Sequence, residues 1–303
     1  MKERDNLSIY FPVYRRIEKE VLNLTSAIYF SDDQLGVYSL DIADLIVRCV
    51  VEIESIAKDI YRKENKEDPE KPGACFNWME KKWNISKKQI TIISPYIHFE
   101  KMKQFSPFDY KNKSDEDYYS TYNAIKHDRV KNINKATVYS LIRALGALYV
   151  LNVYYMENKI NLEDDCHATH LDRTFGSQVF VVDIAPCKDI VLLSSEYSIV
   201  PEQCIYRIIR KESNFIFNLT YRNQFDEIKT TCLIMIDKGF QDYAESCVGK
   251  SLDMNEFWNN IAKYTKMTGE QFKNDFEVVN KVKDIISVSS NKMKATFWAE
   301  LNK

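Results

Sequence analysis

From Ala144 to Tyr155 the chain is apolar at every position except Asn152. This is its longest apolar run. A helix needs about 20 such residues to span a bilayer, so the run is too short to cross one and reads as a helix buried in protein. It closes a longer helical stretch, residues 136–155, in which Leu141, Leu145, Leu148 and Val150 are the expected core positions. With only 7 Gly and 7 Pro in 303 residues, the rest of the chain has the composition of long regular elements, helices above all.

Two helices are expected upstream. Over residues 10–30, Tyr14, Ile17, Val21, Leu24 and Ile28 make a helical stripe, and Pro12 suits its first turn. Ser39 is the expected N-cap of the second, with Asp41 and Asp44 at its positive end. That helix runs to about Arg62, with Ile42, Leu45, Ile46, Cys49, Ile53, Ile56 and Ile60 on one apolar face. Residues 63–72 read as a charged, solvated linker, 77–83 as a short helix and 87–99 as an extended connection.

Composition shifts after Asn161. Residues 179–182, 190–193, 205–209, 215–221 and 230–236 are strand candidates, and 215–221 show clean two-residue alternation. Helices are expected again at 255–266 and 272–286, with Thr268 and Gln271 at capping-box spacing. The fold class is mostly α: a helical domain over residues 1–165, then a smaller α+β domain over 166–303.

A net charge of -2 gives no global basic field, so any nucleic-acid contact has to be local. The 7 Cys include no CxxC pair, and Met1 to Asp5 lead into no apolar core. The reading is a cytoplasmic protein with free thiols and no membrane partner.

The densest polar constellation is Tyr122-Asn123-Ala124-Ile125-Lys126-His127-Asp128-Arg129, which follows an acidic, aromatic lead-in at 115–119. Asn123, Lys126 and His127 stand at i, i+3 and i+4, so a helix puts them on one face. An imidazole there exchanges protons near neutral pH, while Lys126 and Arg129 offer charge to a phosphate. The same residues also read as a polar cap on a helix end. Glu54 and Lys58 form an i, i+4 pair worth at most about 0.5 kcal/mol if exposed.

Asp164, Asp165, Cys166, His167 and His170 have metal-ligand chemistry but no second cluster at zinc spacing. They read as a polar linker, and no metal or cofactor is expected. Gly249-Lys250-Ser251 has Ala244 where a phosphate-binding loop needs glycine, and it reads as a turn. Asn218-Leu219-Thr220 is a glycosylation sequon in spelling only.

One helix carries Tyr38, Ser39, Glu54 and Lys58, and a later Tyr-Asn-x-x-Lys-His-x-Arg precedes an Ala/Leu-rich helix. This pairing resembles HEPN-type domains, over residues 10–157. The resemblance implies an up-down bundle of about four or five helices, dimerised through the helices that bear the motif. It implies a metal-independent endoribonuclease of toxin, antiphage or RNA-processing type. His127 then matches the family's His and Asn123 its polar residue, with Lys126 and Arg129 as nearby cations and Glu54, Lys58 and Tyr122 in support. Tyr122 stands where active members carry Arg. Other members only bind or dimerise, so a non-catalytic binding or dimerisation module, with a partner protein or a nucleotide for the second domain, is the alternative. A helical scaffold with an α+β appendage and no site is the third reading.

Overall fold

In the computed structural model of the protein, the structure describes residues 9–70, 72–109, 117–163, 165–187, 200–210, 215–222, 228–236, 265–268 and 296–303. Among these residues the fold is mixed α+β. Its helices are α1 (Tyr10–Leu24), α2 (Leu40–Asn65), α3 (Pro72–Trp83), α4 (Tyr118–His127), α5 (Arg129–Asn132) and α6 (Val138–Met156). Its strands are β1 (Phe30–Ser31), β2 (Ile90–Ile92), β3 (Ile97–His98), β4 (Gln104–Phe105), β5 (Ile160–Glu163), β6 (Phe180–Val182), β7 (Ile184–Ala185), β8 (Tyr206–Arg210), β9 (Phe215–Arg222), β10 (Ile228–Ile236), β11 (Thr265–Thr268) and β12 (Phe297–Leu301). No helix among the described residues is long and apolar enough to cross a membrane.

Helix α6 is the apolar run, and it is buried on every side. The core positions expected from sequence, Leu141, Leu145, Leu148 and Val150, are fully enclosed. Helices α1, α2 and α4 pack against it. On another side Gly146 leaves room for β2 and β4. A Cβ there would lie 2.8 Å from Ile90 Cδ1 and 3.1 Å from Phe105 Cζ. Tyr149 meets Phe180 at 5.6 Å, and Tyr154 stacks on Trp83 at 4.7 Å. Asn152, the polar break in the run, turns its amide back to the Leu148 carbonyl at 2.9 Å. The first-turn amides, which have no acceptor within the helix, are also met: Thr137 accepts from Ser140 N, and Val138 N and Tyr139 N donate to Val37 O and Leu35 O.

Helix α2 begins as its sequence predicts, with Ser39 Oγ accepting from Ile42 N at 3.1 Å. Its whole expected apolar face is buried. It runs one turn beyond Arg62 and stops where Lys66 takes a left-handed φ of 59°. The charged linker expected from Lys63 is therefore shorter, because Lys63 is held in the helix by Glu157 at 2.9 Å. Helix α1 likewise ends at Leu24, short of the expected Phe30, which enters β1.

Strands expected at 179–182, 205–209, 215–221 and 230–236 appear as β6, β8, β9 and β10. The extended segment 87–99 contributes β2 and β3. The sheet orders are β4-β2-β6, β5-β12-β8-β7 and β9-β10-β11, and β1 pairs with β3 in parallel. Residues 265–268, the end of one expected helix and the cap of the next, are strand β11, antiparallel to β10. The rest of both expected helices, the strand candidate at 190–193 and Gly249 to Ser251 lie outside the described residues.

The core is continuous across residue 165, where the sequence places a boundary. Val179, Phe180, Tyr206, Phe297 and Leu301 join the same buried cluster as α1, α2 and α6. Two buried charges tie these parts together. Glu18 of α1, 1% exposed, accepts through Oε1 from Tyr14 (2.7 Å), Ser177 (2.5 Å), Gln178 N (2.8 Å) and Val179 N (3.1 Å), while Oε2 accepts from Arg15 (2.7 Å). Burial, then the Glu18 charge, push the Tyr14 hydroxyl well above its ordinary range. Lys88, 3% exposed, donates to the carbonyls of Glu202 and Cys204, each at 3.1 Å. Burial pushes its amine down to about 8.

Glu18→Ala would remove the acceptor that Tyr14, Ser177, Gln178 N and Val179 N share, leaving Gln178 N without one among the described residues, while the Ser177 hydroxyl and Val179 N keep their bonds to Tyr14 and to each other. Its unfolding free energy in urea is expected to fall by about 3 kcal/mol or more, against about 1 kcal/mol or less for Glu20→Ala in the half-exposed pair with Arg48. Lys88 gives a pH test. Its amine sits near 8 in the fold and at 10.5 in the unfolded chain. Between those values the unfolded chain binds more protons, so stability rises with pH. Wild type should therefore gain on Lys88→Met between about pH 8 and pH 10 in paired urea titrations, a comparison in which the other titrating groups cancel to first order. A flat or falling difference contradicts the buried amine.

Candidate functional site

Helix α4 has two sides. Tyr118, Thr121, Tyr122 and Ile125 recur at helical spacing and are buried, turning this side onto α2 and α6. Asn123 is half-buried on the other side, and Lys126 and His127 are exposed at the end of the helix. The sequence-predicted trio is thus brought together on one helix face. Among the described residues no hydrogen bond or ion pair engages the side chains of Asn123 or His127, and Lys126 Nζ rests 5.4 Å from the centre of the Tyr122 ring.

Arg129 leaves that face. At Asp128 the backbone turns extended (φ -152°, ψ 90°), and Asp128 Oδ1 accepts from Lys131 N at 3.1 Å, capping a new helix, α5. Asn132 ties the two turns by donating to Ala124 O (3.1 Å) and Asp128 O (2.8 Å). Arg129 then reaches α2, where Nη1 donates to Asp44 Oδ1 at 2.7 Å. The whole stretch from Lys126 to Lys131 is exposed, with Val130 at 90%. A protein of net charge -2 thus presents Lys126, His127, Arg129 and Lys131 on one short exposed segment.

Glu54 does sit against the His127-bearing helix. It accepts from the Tyr119 hydroxyl at 2.9 Å. Burial, then the hydrogen bond to Glu54, raise that hydroxyl to about 12. Glu54 and half-buried Lys58 make no ion pair with each other among the described residues, so the expected i, i+4 pair does not form. Tyr122 is buried at 5% exposure and packs beside Tyr119 at 6.1 Å.

The His167 and His170 segment is a turn built on Asp165. Its carboxylate accepts from His167 N (3.1 Å), Thr169 Oγ1 (3.0 Å) and His170 N (3.3 Å). Those bonds occupy the oxygens a cation would use, and no group of three or more potential ligands is assembled among the described residues. The sequence reading missed Asp44, which it took only as a favourable charge near a helix start, and Tyr119. Asp44 is 85 positions from Arg129, and no local pattern signals that pairing.

Compared with protein-family models, curated proteins and solved structures, the chain matches none.

Replacing Tyr122 by Arg would put a cation at a buried position. Tyr122→Arg is expected to lower the unfolding free energy by about 2 kcal/mol or more, while Tyr122→Phe stays within about 1 kcal/mol of wild type in the same denaturation assay.

Proposed function

We propose that the helical part of this protein is a HEPN-like module acting on RNA, with His127 as proton carrier and Lys126 as the phosphate-binding cation. One observation carries this reading. An imidazole and an ammonium on neighbouring residues lie at the end of α4, exposed and unclaimed by hydrogen bonds among the described residues. A histidine with a structural role is more commonly held by its own protein.

In this reading one imidazole removes the proton from a ribose 2′-hydroxyl. The oxygen attacks the adjacent phosphorus and the bond to the 5′-oxygen breaks. A second imidazole protonates that leaving oxygen, giving a 2′,3′-cyclic phosphate and a free 5′-hydroxyl. Lys126 offsets the charge that builds on the phosphoryl oxygens. One chain supplies a single imidazole here, so the reaction calls for a second copy whose His127 faces the first. No step requires a metal.

A second reading has its own support. Tyr122 fills the Arg position with a buried ring, and Arg129 is held on α2 by Asp44. Both favour a module that binds RNA or a second copy without cutting.

Incubating the full chain with RNA in the presence of a chelator separates the two. The catalytic reading expects cleavage that falls about 100-fold or more in His127→Ala. Cleavage unchanged in that variant removes His127 from the chemistry, and RNA bound but left intact by wild type selects the second reading.

A further inference from the structure

The Asp44 carboxylate holds Arg129, one of the cations of the exposed segment. It receives one hydrogen bond from Arg129, and both side chains are about half exposed, at 58% and 45%. Guanidinium groups bind carboxylates and phosphates best through two parallel N–H donors, and this contact uses one. Exposed pairs of that kind are weak and are screened by salt.

One turn along α2 the contrast is plain. Arg48 places both Nη1 and Nη2 on the two oxygens of Glu20, a forked pair between α1 and α2. Arg48 is close enough to sense the Asp44 charge but is committed to Glu20. Among the described residues Arg129 is the one cation paired with Asp44. It is anchored on α5, next to Lys131 and two positions beyond His127.

We propose that Asp44 is an internal competitor for nucleic-acid phosphate: it holds Arg129 in the free protein, and RNA exchanges the carboxylate for a phosphate, so that Arg129 joins Lys126 and His127 on the bound strand. This rests on the RNA-directed reading above. Asp44 thereby restrains the affinity of the patch and makes Arg129 available only to a ligand that brings its own anion.

The test is binding of a labelled single-stranded RNA oligonucleotide to the full chain, followed by anisotropy over a series of salt concentrations. Asp44→Asn should tighten binding about threefold to tenfold at low salt with the salt dependence unchanged, while Arg129→Gln in the otherwise wild-type chain should flatten it by about 0.7 in log K against log salt, the one phosphate contact that the exchange brings. The gain should vanish in an Arg129→Gln background, and Asp44→Ser should behave like Asp44→Asn. Asp41→Asn removes the same charge one turn earlier and should give a smaller gain with no change of slope. Equal gains from Asp41→Asn and Asp44→Asn, or a gain that survives without Arg129, overturn the exchange and leave the RNA reading standing. Wild type and Asp44→Asn both failing to bind RNA at low salt overturn the two together.

Discussion

A helix that is apolar all round has to be covered all round, and α6 imposes that demand on the rest of the fold. Helices alone do not complete the cover. Helices α1, α2 and α4 supply part of it, and the strands that approach Gly146 and Tyr149 supply more. A helical half cut off at residue 165 would lose Phe180 from this core and the Ser177 hydroxyl from Glu18. Helix α4 takes its character from the same demand. Its buried side belongs to the core, so whatever is polar on it must collect on the far side and at its end. The hydrophobic effect thus places Lys126 and His127 in solvent without selecting them for anything.

Buried charge would ordinarily count against such a core. Isolated, either Glu18 or Lys88 would cost several kcal/mol. Each is compensated by hydrogen bonds. Glu18 receives side-chain and backbone donors from a segment far along the chain, and Lys88 spends its donors on the 202–204 turn. Non-directional burial could tolerate a shifted 174–182 segment. The Glu18 carboxylate, with its several donors, fixes one arrangement. A similar clasp closes the far end of α6. Burial pushes the Glu157 carboxyl up, but hydrogen bonds from Lys303 and Lys63 outweigh this and hold it down to about 2.

Local signals were legible in the sequence and distant ones were not. The Ser39 cap, the α2 face, the α6 run and the alternating β9 strand each depend on residues within a few positions of one another. The i, i+3, i+4 trio belongs with them. Arg129, expected only as a cation near that trio, turns away from it for a local reason as well: Asp128 is a good N-cap residue and starts a new turn there. The overlong linker at Lys63 has a different cause. Its charges read as solvated, but Glu157 supplies a partner from another helix end. Glu18 to Ser177 and Asp44 to Arg129 are separated by 159 and 85 residues, and periodicity carries no information at that range.

The proposed chemistry turns on whether the exposed end of α4 meets a second copy of itself. A photo-crosslinking amino acid in place of Lys131, beside His127, reports on that contact directly, with the same residue at exposed Lys19 of α1 as the control. The account predicts covalent dimers from position 131 and none from position 19. Monomers alone from both positions, at concentrations where the protein acts on RNA, would contradict it.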